Sequence, residues 1–146
     1  MTTQPLLAAV DIGSTNAKAG LFRLDGQPAA LASRPMPLRR AQDGTASFDP
    51  DQVWRLICDA LTEVMAAADG GAVACVGVAS MAESGLLFDA ATGSPRSQLV
   101  PWFDTAAAPD ATRLADASDG FARFQSTGLR MNYKAGAAKV ASIARQ

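Results

Sequence analysis

The sequence contains no histidine. That absence excludes histidine metal ligands, a Ser-His-Asp triad and a histidine general base from this stretch of chain. Cysteine is scarce: Cys58 and Cys75 each lie in an apolar run, and no Cys-x-x-Cys occurs. Both are expected to be small core residues in a reducing cytoplasm, not a disulfide or a metal site. Net charge is scarce too, with 13 basic against 14 acidic residues and a balance of −1. A general nucleic-acid binder needs a basic footprint, so nucleic acid is not an expected partner. The basic doublet Arg39-Arg40 reads as a solvated loop. No apolar run approaches the roughly 20 residues of a membrane-spanning helix. The start, Met-Thr-Thr-Gln-Pro, has no basic region ahead of an apolar stretch, so neither a secretory signal nor a membrane partner is expected. An enzyme built from these residues works with carboxylates, hydroxyls, backbone amides and a bound Mg²⁺.

What is present suffices for a folded domain. The 146 residues are 49% hydrophobic and 18% charged, and a chain of that size buries roughly two-thirds of its unfolded surface. Leu6 to Val10 reads as a buried strand running into a polar turn, and Ala17 to Leu24 as a second strand. Asp25-Gly26 signals a hairpin into a weaker strand over Ala29–Ser33, which Pro35 and Pro37 end. Residues 35–48 read as a loop. Asp49-Pro50 then opens a helix whose apolar stripe is Val53, Ile57, Ala60, Leu61, Val64, Met65 and Ala68. Asp69-Gly70-Gly71 stops that helix. Val73 to Ala79 has the continuous apolar character of a strand buried on both faces. Short strands are expected at 85–89 and 99–103, and helices at 109–117, 120–125 and 135–145. The order is that of an α/β sheet, whose binding sites lie beyond strand ends.

Asp11-Ile12-Gly13-Ser14-Thr15-Asn16-Ala17-Lys18 carries the most chemistry. A phosphate needs inward-pointing amides, and glycine lets the backbone approach closely. Ser14 and Thr15 add hydroxyl donors, and Lys18 adds a positive charge. Asp11 by itself repels phosphate, so it makes sense with a hydrated Mg²⁺ between them. The plainer alternative is a hairpin with a polar tip. The segment is neither a P-loop nor a Gly-x-Gly-x-x-Gly turn.

Val10 to Lys18 resembles the first phosphate motif of the actin/hexokinase-type ATPases. Further elements, in order, resemble the FGGY carbohydrate kinases: Phe48-Asp49-Pro50 with Trp54, Val76 to Met81, Pro101-Trp102-Phe103-Asp104, and Thr127-Gly128 followed by Lys139-Val140. This resemblance implies an α/β, ribonuclease H-like mixed sheet with flanking helices. It implies ATP-dependent phosphorylation of a sugar hydroxyl on a ketose, sugar acid or polyol, with Mg²⁺ as cofactor. Asp11 then stands near the nucleotide-bound metal, acting through a metal-bound water. Gly13, Ser14, Thr15, Asn16 and Lys18 stand at the nucleotide phosphates. Met81, Ala82, Glu83, Trp102 and Asp104 fall at positions that line the sugar pocket. Carboxylates accept several sugar hydroxyls, and an indole covers an apolar C–H face. From the residues alone, Trp102 also reads as a core aromatic, Glu83 as a solvated turn residue and Asp104 as a cap or turn residue.

Glycerol kinases carry Arg-Glu where this chain has Ala82-Glu83. The lost arginine removes five donors, which argues against glycerol. Xylulokinases carry Met-His where this chain has Met81-Ala82, which puts D-xylulose in doubt too. The family keeps its catalytic aspartate, second phosphate loop and adenosine site in later sequence. Residues 1–146 are therefore expected to be an incomplete N-terminal domain, inactive alone, with an uncovered edge or face at the Val73 strand. The full-length form is compatible with a homodimer and a cytoplasmic location. Two other readings stay open. One is a non-catalytic sugar- or nucleotide-binding fragment. The other is an activator ATPase, which needs cysteines for an iron–sulfur cluster.

Overall fold

The computed structural model of the protein describes residues 4–68 and 71–145. The Asp69-Gly70 part of the expected helix stop, and the first three residues, lie outside the described residues. In chain order the elements are β1 (Leu6–Ile12), β2 (Asn16–Phe22), β3 (Pro28–Pro35), β4 (Arg39–Arg40), β5 (Ala46–Ser47), α1 (Pro50–Ala66), β6 (Val73–Ser80), α2 (Ala108–Asp116), α3 (Gly120–Thr127) and α4 (Gly136–Ile143). They form two compact units. One takes the chain up to Pro37 together with Asp51–Met81; the other takes Leu38–Pro50 together with the chain from Ala82 onward.

The first unit is a four-stranded sheet in the order β3-β2-β1-β6. β1 pairs antiparallel with β2 and parallel with β6, and β2 pairs antiparallel with β3. Short turns suit the antiparallel pairs, whereas the parallel pair needs the crossover that α1 supplies. Alternation in β2 buries Ala17, Ala19 and Leu21. Leu21 joins Ala8, Ala19, Ala32 and the α1 residues Ala60 and Val64 in one cluster. Full burial of a leucine stabilises by about 1.5–3 kcal/mol. α1 starts at Pro50 as the sequence predicts, and its buried residues are Val53, Ile57, Ala60 and Val64. Met65 departs from the expected stripe and is 41% exposed. It follows Val64 directly and is turned by one helical step, about 100°, off the buried line.

β6 is where expectation and structure differ most. The strand forms, but nearly all of it is exposed, with Val78 at 71%. It lies at the end of the sheet with β1 on one side. Its apolar character therefore marks an uncovered surface, as the expected liability at this strand required. Cys75 is exposed for the same reason, and Cys58 in α1 is half-buried; both are free thiols. The expectation of a core position fails for Cys75.

The second unit is held by turns and short helices. The stretch expected as a loop contains the hairpin β4–β5, with Arg39 opposite Ser47 and Arg40 opposite Ala46. Arg39 also donates to Asp49 at 3.0 Å, so the basic doublet is not a free solvated loop. The strands expected at 85–89 and 99–103 are only isolated bridges, Phe48 to Leu99, Gly85 to Val100 and Phe88 to Pro95. Side chains replace ladder partners here: the Leu87 amide donates to Ser97 Oγ at 2.9 Å. Pro95 and Pro101 have no amide to extend a ladder. α2 and α4 pack through Ala107, Ala111 and Ala138. Asp119 caps α3 by accepting from the Phe121 and Ala122 amides, and Gly128 ends it in the left-handed region at φ 71°. The Thr127-Gly128 motif is thus the end of a helix.

Candidate functional site

In the first unit, the turn over Gly13, Ser14 and Thr15 sits at the carboxyl end of β1, and Met81 follows the carboxyl end of the parallel strand β6. The Met81 amide donates to the Ile12 carbonyl at 2.9 Å, which ties these ends together. The turn is closed by Gly13, whose amide donates to the Asn16 carbonyl at 3.0 Å. A Cβ on Gly13 would stand 2.9 Å from that carbonyl oxygen, so only glycine closes the turn this tightly. Met36 donates its amide to the Thr15 carbonyl at 2.9 Å and fixes the tip against the end of β3. Among the described residues, the amides and hydroxyls of Ser14 and Thr15 make no hydrogen bond. Asp11 is exposed and enters no ion pair, although Lys18 is its direct cross-strand partner. Cross-strand partners share one face of a sheet. The Asp11 carboxylate and the Lys18 ammonium therefore share one face of the sheet.

In the second unit, Ala82 and Glu83 form an exposed turn. Glu83 is the non-glycine residue with positive φ, 57°, among the described residues. A side chain held there costs roughly 1–3 kcal/mol and is characteristic of functional turns. Ser84 Oγ accepts the Trp102 amide at 2.9 Å and joins this turn to the Trp102–Asp104 segment. Trp102 is half-buried, lies edge-on to Phe103, and carries Lys134 Nζ 5.0 Å from its ring centre. Asp104 corrects the expectation of a sugar contact. It is 4% exposed, and its carboxylate accepts the Ala46 amide at 2.6 Å and the Ala106 amide at 2.9 Å. Its oxygens hold the backbone of the turn; the cap-or-turn reading is the one realised.

Sequence reasoning missed the entry to α4. Lys134 covers Trp102, Gly136 abuts Glu83, and Lys139 reaches Asp104. Lys139 is buried, and its Nζ donates to the Asp104 carbonyl at 3.2 Å. Burial pushes the Lys139 ammonium below the ordinary lysine range, and the charges of Asp104 and Glu83 oppose that shift. The legible signal was Lys139 itself: a lone lysine in an alanine-rich apolar segment is buried with a partner or not at all.

Residues 6–145 match the N-terminal domain of the FGGY family of carbohydrate kinases. The chain belongs to that family. A glycerol kinase from Gloeobacter violaceus is 38% identical over 98 residues, which are 67% of this chain and 20% of that protein. An apulose kinase from Pectobacterium atrosepticum is 29% identical over 136 residues, 93% of this chain and 27% of that protein. The crystal structure of xylulose kinase from Rhodospirillum rubrum superposes with a TM-score of 0.87 at 26% identity, covering 97% of this chain and 29% of that one. The FGGY chain described here thus spans less than a third of the length of these relatives. Its mixed sheet with flanking helices is the partial N-terminal domain of an actin/hexokinase-type sugar kinase fold. Membership in the FGGY family decides against the iron–sulfur activator reading. Among the described residues, no helix is long and apolar enough to cross a membrane.

Proposed function

We propose that the protein carrying this FGGY segment transfers the terminal phosphoryl group of ATP to a hydroxyl of a ketose, sugar acid or polyol. Residues 1–146 supply part of its N-terminal domain: the first phosphate turn and part of the sugar pocket. The observation that carries this reading is the open turn at the end of β1. Gly13 closes it, Ser14 and Thr15 keep their donors unspent, and Asp11 and Lys18 share its face without pairing. Amides and hydroxyls of this kind take phosphate oxygens. A single exposed carboxylate suits a Mg²⁺ that keeps most of its water. Bound Mg²⁺ would supply charge neutralisation at the transferred phosphoryl group.

Glu83 and Trp102 are the sugar contacts in this reading, with Met81 and Ala82 beside them in sequence. Alanine at position 82 offers no side-chain donors, which favours a substrate other than glycerol. The test is Asp11→Ala in the full-length protein, assayed with Mg·ATP against a panel of pentuloses, polyols and aldonates. The turnover number is expected to fall by more than about tenfold, equivalent to ~1.4 kcal/mol. A smaller fall overturns the role of Asp11. Absence of phosphoryl transfer to every member of the panel by the unaltered protein overturns the function itself.

A further inference from the structure

Position 136 begins a helix, where alanine is the better helix former by up to about 1 kcal/mol. Gly136 does not adopt the left-handed conformation that favours glycine elsewhere in this chain. Backbone freedom therefore does not explain it. Space does: a Cβ at position 136 would stand 2.9 Å from Glu83 Oε2, closer than real contacts of that kind. Among the described residues, no hydrogen bond or ion pair holds the Glu83 carboxylate, yet its backbone is in the strained left-handed region. The start of a helix favours a carboxylate beside it. Lys139, three residues along and on the same face of α4, feels the negative charge of Glu83.

We infer that Gly136 is a positioning residue, whose missing side chain leaves the space that the Glu83 carboxylate occupies when it meets the sugar. This rests on Glu83 being a sugar contact. α4 is then more than packing for α2: its first turn supplies room for the carboxylate.

A double-mutant cycle in the full-length protein tests it. Gly136→Ala is a mild change for the fold, since the atom it meets is the far end of a flexible side chain. Its melting temperature should match or exceed that of the unaltered protein. The KM for the sugar should rise roughly ten- to a hundredfold, the size of a lost hydrogen bond to a charged group. The turnover number should stay within about twofold, the pattern of a lost binding contact. In a Glu83→Ala background the same glycine change should alter KM by less than about twofold. An unchanged KM after Gly136→Ala, or an equal rise in both backgrounds, overturns the inference. If Glu83→Ala alone leaves KM unchanged while the sugar is still phosphorylated, Glu83 is no sugar contact, and the inference falls with that assignment while the kinase function stands.

Discussion

The two units bury different chemistry. The interior of the sheet unit is apolar, with Ala8, Ala19, Leu21, Ala32, Ala60 and Val64 at its centre. The buried polar and charged residues Asp104, Asp110, Lys139 and Ser142 all fall in the other unit. The difference follows from where backbone hydrogen bonds go. A sheet satisfies its amides and carbonyls in its own ladder, so its side chains need only fill space. Turns and short helices leave backbone groups over, and side chains must take them. Asp104 accepts two such amides. Asp110, with no exposed surface, accepts Arg113 at 2.8 Å and also pairs with Arg145. Removing a methylene threatens one unit; removing a charge threatens the other.

The sharpest test is a matched pair of truncations. Leu21→Ala should destabilise the sheet unit by about 2–5 kcal/mol, through lost transfer energy and a cavity. Asp110→Ala should cost about 1.5–3 kcal/mol, the size of lost hydrogen bonds to a charged group, because both arginines keep more than half of their exposure and leave no buried charge behind. Urea denaturation reads both, and an Asp110→Ala cost below about 1 kcal/mol breaks the contrast. A second, smaller effect is a pH slope. The folded-state pKa of Lys139 lies below the ordinary lysine value of 10.5, so the unfolded chain binds its proton more tightly. Stability should therefore rise as pH climbs from the depressed value toward 10.5. Lys139→Met should flatten that rise in a melting series above pH 8, whereas Leu21→Ala should leave its shape unchanged. The smallest effect is Val78→Lys, made in residues 1–146 by themselves, where this face of β6 is exposed. Stability should move by no more than about 0.5 kcal/mol, while solubility in a precipitation assay should increase. A large loss of stability would show that the face is covered after all.

The parts of the fold that were legible have local causes. β1 and β2 announce themselves as apolar runs meeting a polar turn, and α1 as a proline start with a helical stripe. The turn between β1 and β2 was legible because Gly13, Ser14 and Thr15 are small or polar and stand together in the sequence. β4 and β5 were missed because a pair of two-residue strands has no periodicity to read. The expected strands at 85–89 and 99–103 failed because β propensity does not specify a partner, and side chains such as Ser97 took the place of one. Asp104 was misassigned for a related reason. A carboxylate beside a tryptophan looks available until the Ala46 amide, far away in sequence, is found on it.

The order of residues alone determined the tight turn after β1, the start of α1 and the kinship with carbohydrate kinases, since these depend on neighbours a few positions apart. Tertiary structure decided that β6 is an exposed edge, that Asp104 clamps a backbone, and that Gly136 stands against Glu83. Burial and close contact are properties of pairs, and those pairs are brought together only when the chain has folded.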